Sequence, residues 1–123
     1  MTRREPKPNT RKVSEAGQRK TAAAELDRLI EEATVDCHDE SEQMSGFYTM
    51  LEENIELPFE TQVLGVEVTV ERIDLTDAEE IVAVCRRGQT QQVIPILHLP
   101  LPGPSPQGAE WIEAFRRWAR GRS

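Results

Sequence analysis

Residues 64–71 read Leu-Gly-Val-Glu-Val-Thr-Val-Glu, with an apolar side chain at every second position. This alternation is typical of a β-strand that buries one face and exposes the other. The apolar run Ile81–Cys85 predicts a second, more deeply buried strand, and Arg87–Gln89 predicts the turn after it. Residues 92–97 predict a third strand, in which Pro95 indicates a sheet edge because proline cannot donate to a ladder. Short consecutive strands with tight turns predict a small antiparallel sheet or a partly open SH3-like barrel.

Two predicted helices precede these strands. The first is expected from Thr21 onward, on an apolar stripe with a 3.6-residue period made of Leu26, Leu29, Ile30, Ala33 and Cys37. The second has the stripe Met44, Phe47, Tyr48, Leu51 and Ile55. Asp39 or Ser41 is expected to cap the second helix. Gly46 predicts a close helix crossing or a kink within it, and Pro58 predicts its end.

A third helix is predicted at the other side of the strands. Residues 100–108 carry four prolines and two glycines, which predicts a stiff, extended linker. Residues 109–120 follow with both tryptophans and Phe115 on one face, so this amphipathic helix is expected to close the core. The predicted fold class is therefore α+β: two N-terminal helices, a small antiparallel sheet or partly open SH3-like barrel, and a C-terminal amphipathic helix.

The charge of the chain is distributed unevenly. The net charge is −7, but residues 1–20 carry +5, and residues 21–56 carry −10 from eleven acidic side chains and one basic side chain. We expect residues 1–20 to form a disordered basic tail and residues 21–123 to form a single folded domain. No run of about 18 apolar residues is present, so neither a membrane span nor membrane binding is expected. The first residues lack an apolar stretch, which predicts a cytoplasmic protein with Cys37 and Cys85 as free thiols.

A crowded acidic corner between the first two helices is the strongest candidate site. The candidate metal ligands are Asp36, Asp39, Glu40 and Glu42. Asp36 follows the end of the first helix, where the helix dipole disfavours negative charge, and no lysine or arginine lies between Arg28 and Arg72. Several carboxylates at an irregular corner suit Ca²⁺, which takes many oxygen ligands in flexible geometry. The further candidate ligands are Glu32, Glu52, Glu53, Glu60, Asp74 and Asp77.

Other kinds of site fit the sequence less well. An EF-hand loop starting at Asp36 would need glycine at its sixth position and glutamate at its twelfth, where the chain has Ser41 and Phe47. The residues Cys37, His38, Cys85 and His98 lack the paired spacing of a zinc site. No nucleophile elbow, P-loop or dinucleotide fingerprint occurs, so we do not expect an enzyme. Nucleic-acid binding is not expected either, because the basic residues lack interleaved aromatic side chains.

Several segments resemble the cyanobacterial-type (CcbP-like) non-EF-hand calcium-binding protein family. The resemblance lies in residues 35–43, 46–54 and 58–61, in the strand segments 63–68 and 81–88, and in residues 95–97, 99–102 and 110–118. It implies a small barrel-like sheet joined to helices, calcium binding through acidic residues, and compaction on binding. The acidic corner matches the family's calcium-binding region, although His38 and Ser41 depart from the pattern that it leads us to expect.

The function expected from the sequence is reversible calcium binding, as a buffer or a weak sensor of calcium homeostasis. Clustered carboxylates would supply the ligands without an EF-hand. The alternative is a protein-interaction module with an acidic docking face for a basic partner. The sequence does not identify that partner.

Overall fold

A computed structural model of the chain describes residues 15–121, with side chains from residue 22 onward. The helices are α1 (Glu15–Ala33), α2 (Glu40–Asn54) and α3 (Ala109–Arg120), and the strands are β1 (Phe59–Val63), β2 (Val66–Leu75), β3 (Ile81–Arg87) and β4 (Thr90–Pro95). A short 3-10 helix, Ile96–His98, follows β4. The predicted α+β class is confirmed, with two helices, an antiparallel sheet and a C-terminal helix following one another along the chain.

The four strands form one open antiparallel sheet in the order β1-β2-β3-β4. The strand that contains Pro95 is therefore an edge strand, as predicted. The register between β2 and β3 shifts between Val70 and Arg72, so Glu71 lies in a bulge. Two turns, Leu64–Gly65 and Gly88–Gln89, lie at one end of the sheet, which we call the hairpin end. The loop Thr76–Glu80, which we call the strand connection, lies at the other end.

The core lies between one face of the sheet and the three helices. Sheet residues such as Val70 and Ala83 and helix residues such as Phe47, Leu51 and Ile112 are fully or almost fully buried in one cluster. The core includes an aromatic group in which the Phe47 ring lies 5.4 Å from that of Phe115 and 5.1 Å from that of Trp118. Burying one large apolar side chain stabilises a fold by about 1.5–3 kcal/mol, so this cluster fixes the position of α2 on the sheet.

The first helix begins earlier than the sequence pattern predicts. It starts at Glu15 rather than at Thr21, and thus within the segment predicted to be a disordered tail. The apolar stripe could not reveal this start, because residues 15–20 contain only one apolar side chain, Ala16. The rest of the predicted tail, residues 1–14, lies outside the described residues.

Gly46 marks a close crossing of α1 and α2, one of the two outcomes predicted for it. A Cβ atom at this position would lie 2.2 Å from the Ala33 carbonyl oxygen and 3.5 Å from the Cys37 sulfur. No side chain fits in that space without moving α1. The absence of a side chain at Gly46 therefore sets how α2 approaches the end of α1.

The strand boundaries differ from the prediction in three places. Leu64 and Gly65 do not belong to a strand but form the turn between β1 and β2, with φ of 52° and 79°. The strand β1 was not predicted, and its partner β2 continues to Leu75. The last strand spans Thr90–Pro95 rather than residues 92–97, because the chain enters the 3-10 helix at Ile96. The alternation of apolar residues continues through the turn at Leu64 and Gly65, so the pattern did not predict that turn.

The segment 100–108 contains no helix or strand and is tied to the sheet and to α2. The Thr61 hydroxyl donates to the Pro100 carbonyl oxygen at 2.7 Å, and the Glu56 amide donates to the Gln107 carbonyl oxygen at 2.8 Å. The Arg116 guanidinium of α3 donates to the carbonyl oxygens of Ile96 and Leu99, and its burial lowers the pKa of that group. Among the described helices, none is both long and apolar enough to cross a membrane.

Candidate functional site

The corner between α1 and α2 is a tight turn of the backbone. The amide of Thr34 donates to the Ile30 carbonyl oxygen at 3.0 Å, and the amide of Cys37 donates to the Thr34 carbonyl oxygen at 3.1 Å. Asp36 has a φ of 61°, in the left-handed region that aspartate and asparagine tolerate better than most side chains. Its side chain is exposed at the end of α1, so the turn presents this carboxylate to solvent.

Two of the predicted ligands cap α2. The amide of Glu42 donates to Asp39 Oδ1 at 2.9 Å, which makes Asp39 the N-cap, as predicted. The Glu42 carboxylate in turn accepts from the amide of His38 at 2.5 Å. This reciprocal arrangement resembles a capping box and satisfies amides that would otherwise lack partners at the start of the helix. Each carboxylate has a second oxygen, so capping and ion binding are able to draw on the same side chain.

The fold brings a distant acidic loop to this corner. The Ser41 hydroxyl in the first turn of α2 donates to Glu79 Oε2 at 2.9 Å, although 38 positions separate the two residues. Glu79 has a φ of 62° in the strand connection, which is closed by a hydrogen bond of 2.9 Å from the Thr76 amide to the Glu80 carbonyl oxygen. From the sequence, only Asp74 and Asp77 of this region were candidate ligands. Nothing in the spacing of the acidic residues identified Glu79 as the one in contact with the corner.

The two candidates Glu52 on α2 and Asp74 on β2 both lie near Tyr48. The Tyr48 hydroxyl donates to Glu52 Oε2 at 3.0 Å. The pKa of Tyr48 is raised, first by its burial, then by the hydrogen bond and charge of Glu52, and also by the charge of Asp74. Asp74 Oδ1 also accepts from the Leu75 amide at 3.2 Å. These carboxylates form a second acidic location on the α2 side of the sheet.

The remaining candidates lie apart from the corner or in other contacts. Glu32 faces Arg28 at 3.6 Å on the exposed side of α1. Glu53 is exposed near the end of α2, and Asp77 is exposed in the strand connection. Glu60 on β1 lies beside Glu67 on β2, and the hydrogen bond between the two carboxyl groups, followed by the charge of Glu67, raises the pKa of Glu60. Sequence spacing did not single out Glu67, because strand pairing alone brings it there.

Three of the corner carboxylates form no ion pair with a basic side chain of the described residues. The ion pairs of the described residues involve Arg28, Arg86 and Arg117, and none of those pairs includes Asp36, Asp39 or Glu42. Neither α1 nor α2 has a basic residue in its last turn. Within residues 22–121, no three histidine, cysteine, aspartate or glutamate side chains converge as a ready metal site. The four corner carboxylates therefore share one turn of the chain without pointing at a common centre.

Comparison with known families identifies the chain. A model of the CcbP calcium-binding family matches residues 27–119. The chain belongs to this family. The match runs from α1 to α3 and so includes the acidic corner, the whole sheet and the strand connection. No curated protein and no solved structure matches the chain.

Membership in the CcbP family confirms calcium as the ligand predicted from the sequence. The family is one of calcium-binding proteins rather than of known enzymes. Cys37 is half-buried and Cys85 is buried, both as free thiols. Burial, followed by the charge of Glu71, raises the pKa of the Cys85 thiol, so this side chain is stabilised as an uncharged core residue.

Proposed function

We propose that this protein binds calcium reversibly through the carboxylates of the α1–α2 corner, without an EF-hand, as a buffer or a weak sensor. The ligands proposed are Asp36, Asp39, Glu40 and Glu42. The observation that supports this location is the hydrogen bond from Ser41 to Glu79, which holds a second acidic loop against the same corner. Carboxylates from two parts of the chain are thereby available to one ion.

The proposed mechanism is electrostatic. Crowded carboxylates repel one another. The dipole of α1 disfavours the charge of Asp36 just past its C-terminal end, whereas the dipole of α2 partly offsets the charges of Asp39, Glu40 and Glu42 at its start. Calcium takes six to eight oxygen ligands in irregular geometry and accepts water as part of the set. A small rotation of the corner side chains toward one centre, with water completing the shell, would therefore offset the repulsion. The folded corner would become more ordered as a result.

Capping limits the affinity. In the ion-free arrangement, Asp39 and Glu42 each accept a backbone amide of the corner. An ion that recruits these carboxylates competes with the capping bonds, or shares the carboxylates with them at less favourable angles. We therefore expect a dissociation constant on the order of 10⁻⁶ to 10⁻⁴ M, in the range of sensors and weaker sites rather than of high-affinity buffers.

Isothermal titration of calcium into the chelator-treated full chain tests the proposal. We expect saturable heat at physiological salt, and a melting temperature that rises with calcium, since a ligand at a hundredfold excess over its dissociation constant stabilises by about 2.7 kcal/mol. Magnesium is the control, because it demands near-octahedral oxygens and releases water reluctantly. Equal responses to both ions would reduce the site to an unspecific ion atmosphere.

The same titration separates this proposal from the alternative of an acidic docking face for a basic partner. A docking face without an ion site would show no saturable calcium heat. It would instead bind a short polylysine peptide, and calcium would not displace that peptide at constant ionic strength.

A further inference from the structure

The turn between β1 and β2 contains an unusual residue for its backbone. A two-residue hairpin turn with positive φ at both positions favours asparagine followed by glycine. This chain has Leu64 at the first position, with a φ of 52°, and the side chain is 97% exposed. Both the backbone conformation and the exposure are unfavourable for leucine, and the Leu64 side chain does not contribute to the core. Such a residue at a strained position points to a role outside folding.

Leu64 borders an apolar groove at the hairpin end. The groove has a volume of about 330 Å³, and its lining includes the buried side chains of Val68 and Cys85. Val63 and Val66 also line it, and Val66 remains 37% exposed. The helices cover the sheet face farther along the strands, so this end of the face offers apolar surface to an incoming side chain.

The charge around the groove is opposite to that of the chain as a whole. Its lining contains Arg86 and Arg87 and no acidic residue. Arg86 is paired with Glu71 at 2.7 Å. Arg87 is exposed and makes no ion pair with another described residue. The net charge of the whole chain is −7, so an uncompensated arginine beside an apolar groove is a local exception.

We propose that this groove docks an acidic, amphipathic segment of a partner protein. An apolar side chain of that segment enters between Leu64, Val63 and Val66, and a neighbouring carboxylate pairs with Arg87. Apolar contact supplies most of the affinity, and the charge pair selects acidic partners over basic ones. This surface is separate from the proposed calcium corner, which lies beside the strand connection at the opposite end of the sheet.

Charge argues against the other occupants. Residues 1–14 of the chain carry five basic side chains and one acidic side chain, so Arg87 would repel that segment. A second copy carries the same net charge of −7, and an anionic membrane would also repel a chain of this charge. A short acidic segment brings less negative charge to the chain than a second copy or a membrane does, and its carboxylate pairs locally with Arg87.

The test uses the full chain and a panel of short fluorescein-labelled peptides. In these peptides, glutamates flank a central leucine, isoleucine, phenylalanine or tryptophan, and matched peptides carry lysines instead of glutamates. Fluorescence anisotropy measures affinity, and amide chemical shifts locate the contact. We expect at least one acidic peptide to bind at the hairpin end and the lysine peptides to bind more weakly.

Two substitutions distinguish docking from folding. Leu64→Asn suits a left-handed turn, so it should leave the melting temperature unchanged or raise it, while weakening peptide binding by about tenfold, which corresponds to 1.4 kcal/mol. Arg87→Glu should weaken binding by a similar factor. The matched controls are Leu97→Asn, at an exposed leucine outside the groove, and Arg120→Glu, at an exposed arginine on α3; both should bind as the wild type does.

Four outcomes would overturn the proposal. They are no binding by any acidic peptide, equal binding of the lysine peptides, binding that survives both Leu64→Asn and Arg87→Glu, and shifts that map elsewhere. Sedimentation showing that Leu64→Asn dissociates a dimer would assign the groove to a second copy instead. Binding to phosphatidylserine vesicles that is lost in the same variant, without peptide binding, would assign it to a membrane.

Discussion

Asp36 combines a left-handed backbone with an exposed charge at the end of α1. Asn at this position keeps the backbone preference and one carbonyl oxygen but removes the charge. We predict that Asp36→Asn is neutral or mildly stabilising without calcium, because it removes repulsion at a helix end. With calcium, binding should weaken by about tenfold, which removes about 1.4 kcal/mol of the ion's stabilisation. Melting temperatures with calcium and with chelator measure both effects.

Glu79→Gln is the comparison variant for Asp36→Asn. We predict that Glu79→Gln weakens calcium binding less than Asp36→Asn does, because Asp77 and Glu80 lie in the same loop. Glu79 accepts a hydrogen bond from Ser41, however, so it is not a neutral control. Glu110→Gln is better matched, because Glu110 is an exposed carboxylate at the start of α3. A full calcium response in Asp36→Asn, combined with a lost response in Glu79→Gln, would move the site to the strand connection.

Glu60 gives a prediction about pH. A glutamate in an unfolded chain has a pKa of about 4.3, and the contact with Glu67 raises the pKa of folded Glu60. The folded state therefore keeps this proton to higher pH, so the contact stabilises fully below the unfolded pKa and loses its contribution as pH rises through the folded pKa. Glu60→Gln keeps a donor for Glu67 without the charge. We predict that it is more stable than the wild type at neutral pH.

Urea unfolding between pH 4 and pH 7 checks this prediction for Glu60. The advantage of Glu60→Gln should shrink toward pH 4, where the wild-type carboxyl group carries its proton. Glu53→Gln is the control, because Glu53 is an exposed glutamate on α2 outside this pair. A stability difference that does not change with pH would show that the two carboxyl groups do not share a proton.

At the scale of the elements, substitutions at the start of α2 distinguish the contribution of helix capping to stability from that of ion binding. Asp39 is both the N-cap and a proposed ligand. Serine caps as well as aspartate but carries no charge, whereas alanine does neither. We predict that Asp39→Ser keeps the stability of the calcium-free protein and loses much of the calcium response. Asp39→Ala should also lose about 1 kcal/mol without calcium, and denaturant titration with and without the ion compares the two. Equal calcium responses in both variants and the wild type would remove Asp39 from the ligand set.

The crossing of α1 and α2 gives a prediction about stability. Gly46→Ala would place a Cβ atom against the Ala33 carbonyl oxygen, and backbone cannot move aside as a flexible side chain does. We predict a loss of about 1–3 kcal/mol, measured by denaturant unfolding, since overpacking of a tight interior costs this much. The control is Gly121→Ala, whose Cβ would lie 3.6 Å from the nearest atoms. No loss in Gly46→Ala would mean that the helices separate more easily than this close contact implies.

The periodicity of apolar residues predicted the long helices and strands that bury an apolar face. The stripe through Phe47 and Leu51 is buried as expected, and so is the run Ile81–Cys85. It did not predict β1, whose five residues pair with β2 through a turn that contains no turn-forming residue except Gly65. A period of two does not change when a chain reverses through a two-residue turn, so Leu64 was placed in a strand. The reversal depends on pairing between strands, which the local pattern does not contain.

At the scale of the whole molecule, the two proposed surfaces lie at opposite ends of the sheet. The ten residues of β2 span about 33 Å at roughly 3.3 Å per residue, from the hairpin end to the strand connection. The candidate corner was predicted from charge density along the chain. The sequence did not predict that Glu79 lies against Ser41 or that Glu67 lies against Glu60. The first contact joins segments far apart in the chain, and the second depends on how β1 pairs with β2.

The basic N-terminal segment gives a prediction for the intact chain. Because α1 begins at Glu15, a clean truncation removes residues 1–14 rather than 1–20. That segment is tethered to a chain whose residues 21–56 carry −10, so it competes with calcium at low salt. We predict that the truncated chain binds calcium as tightly or more tightly, with the difference fading at high salt. Titration at two salt concentrations measures it, and a large loss of affinity would show that residues 1–14 help to build the site.

The reciprocal cap of α2 has a consequence for how this family diverges. Asp39 and Glu42 hold the first turn of a helix whose Phe47 and Leu51 are fully buried, so a lineage that ceased to use calcium would still lose stability by replacing Glu42, or by replacing Asp39 with a residue that cannot cap. Purifying selection for folding alone would then preserve the glutamate and a capping residue, aspartate among them, long after the ion had stopped binding. Descendants of that kind would look like calcium-binding proteins by sequence, and only a titration would tell them apart.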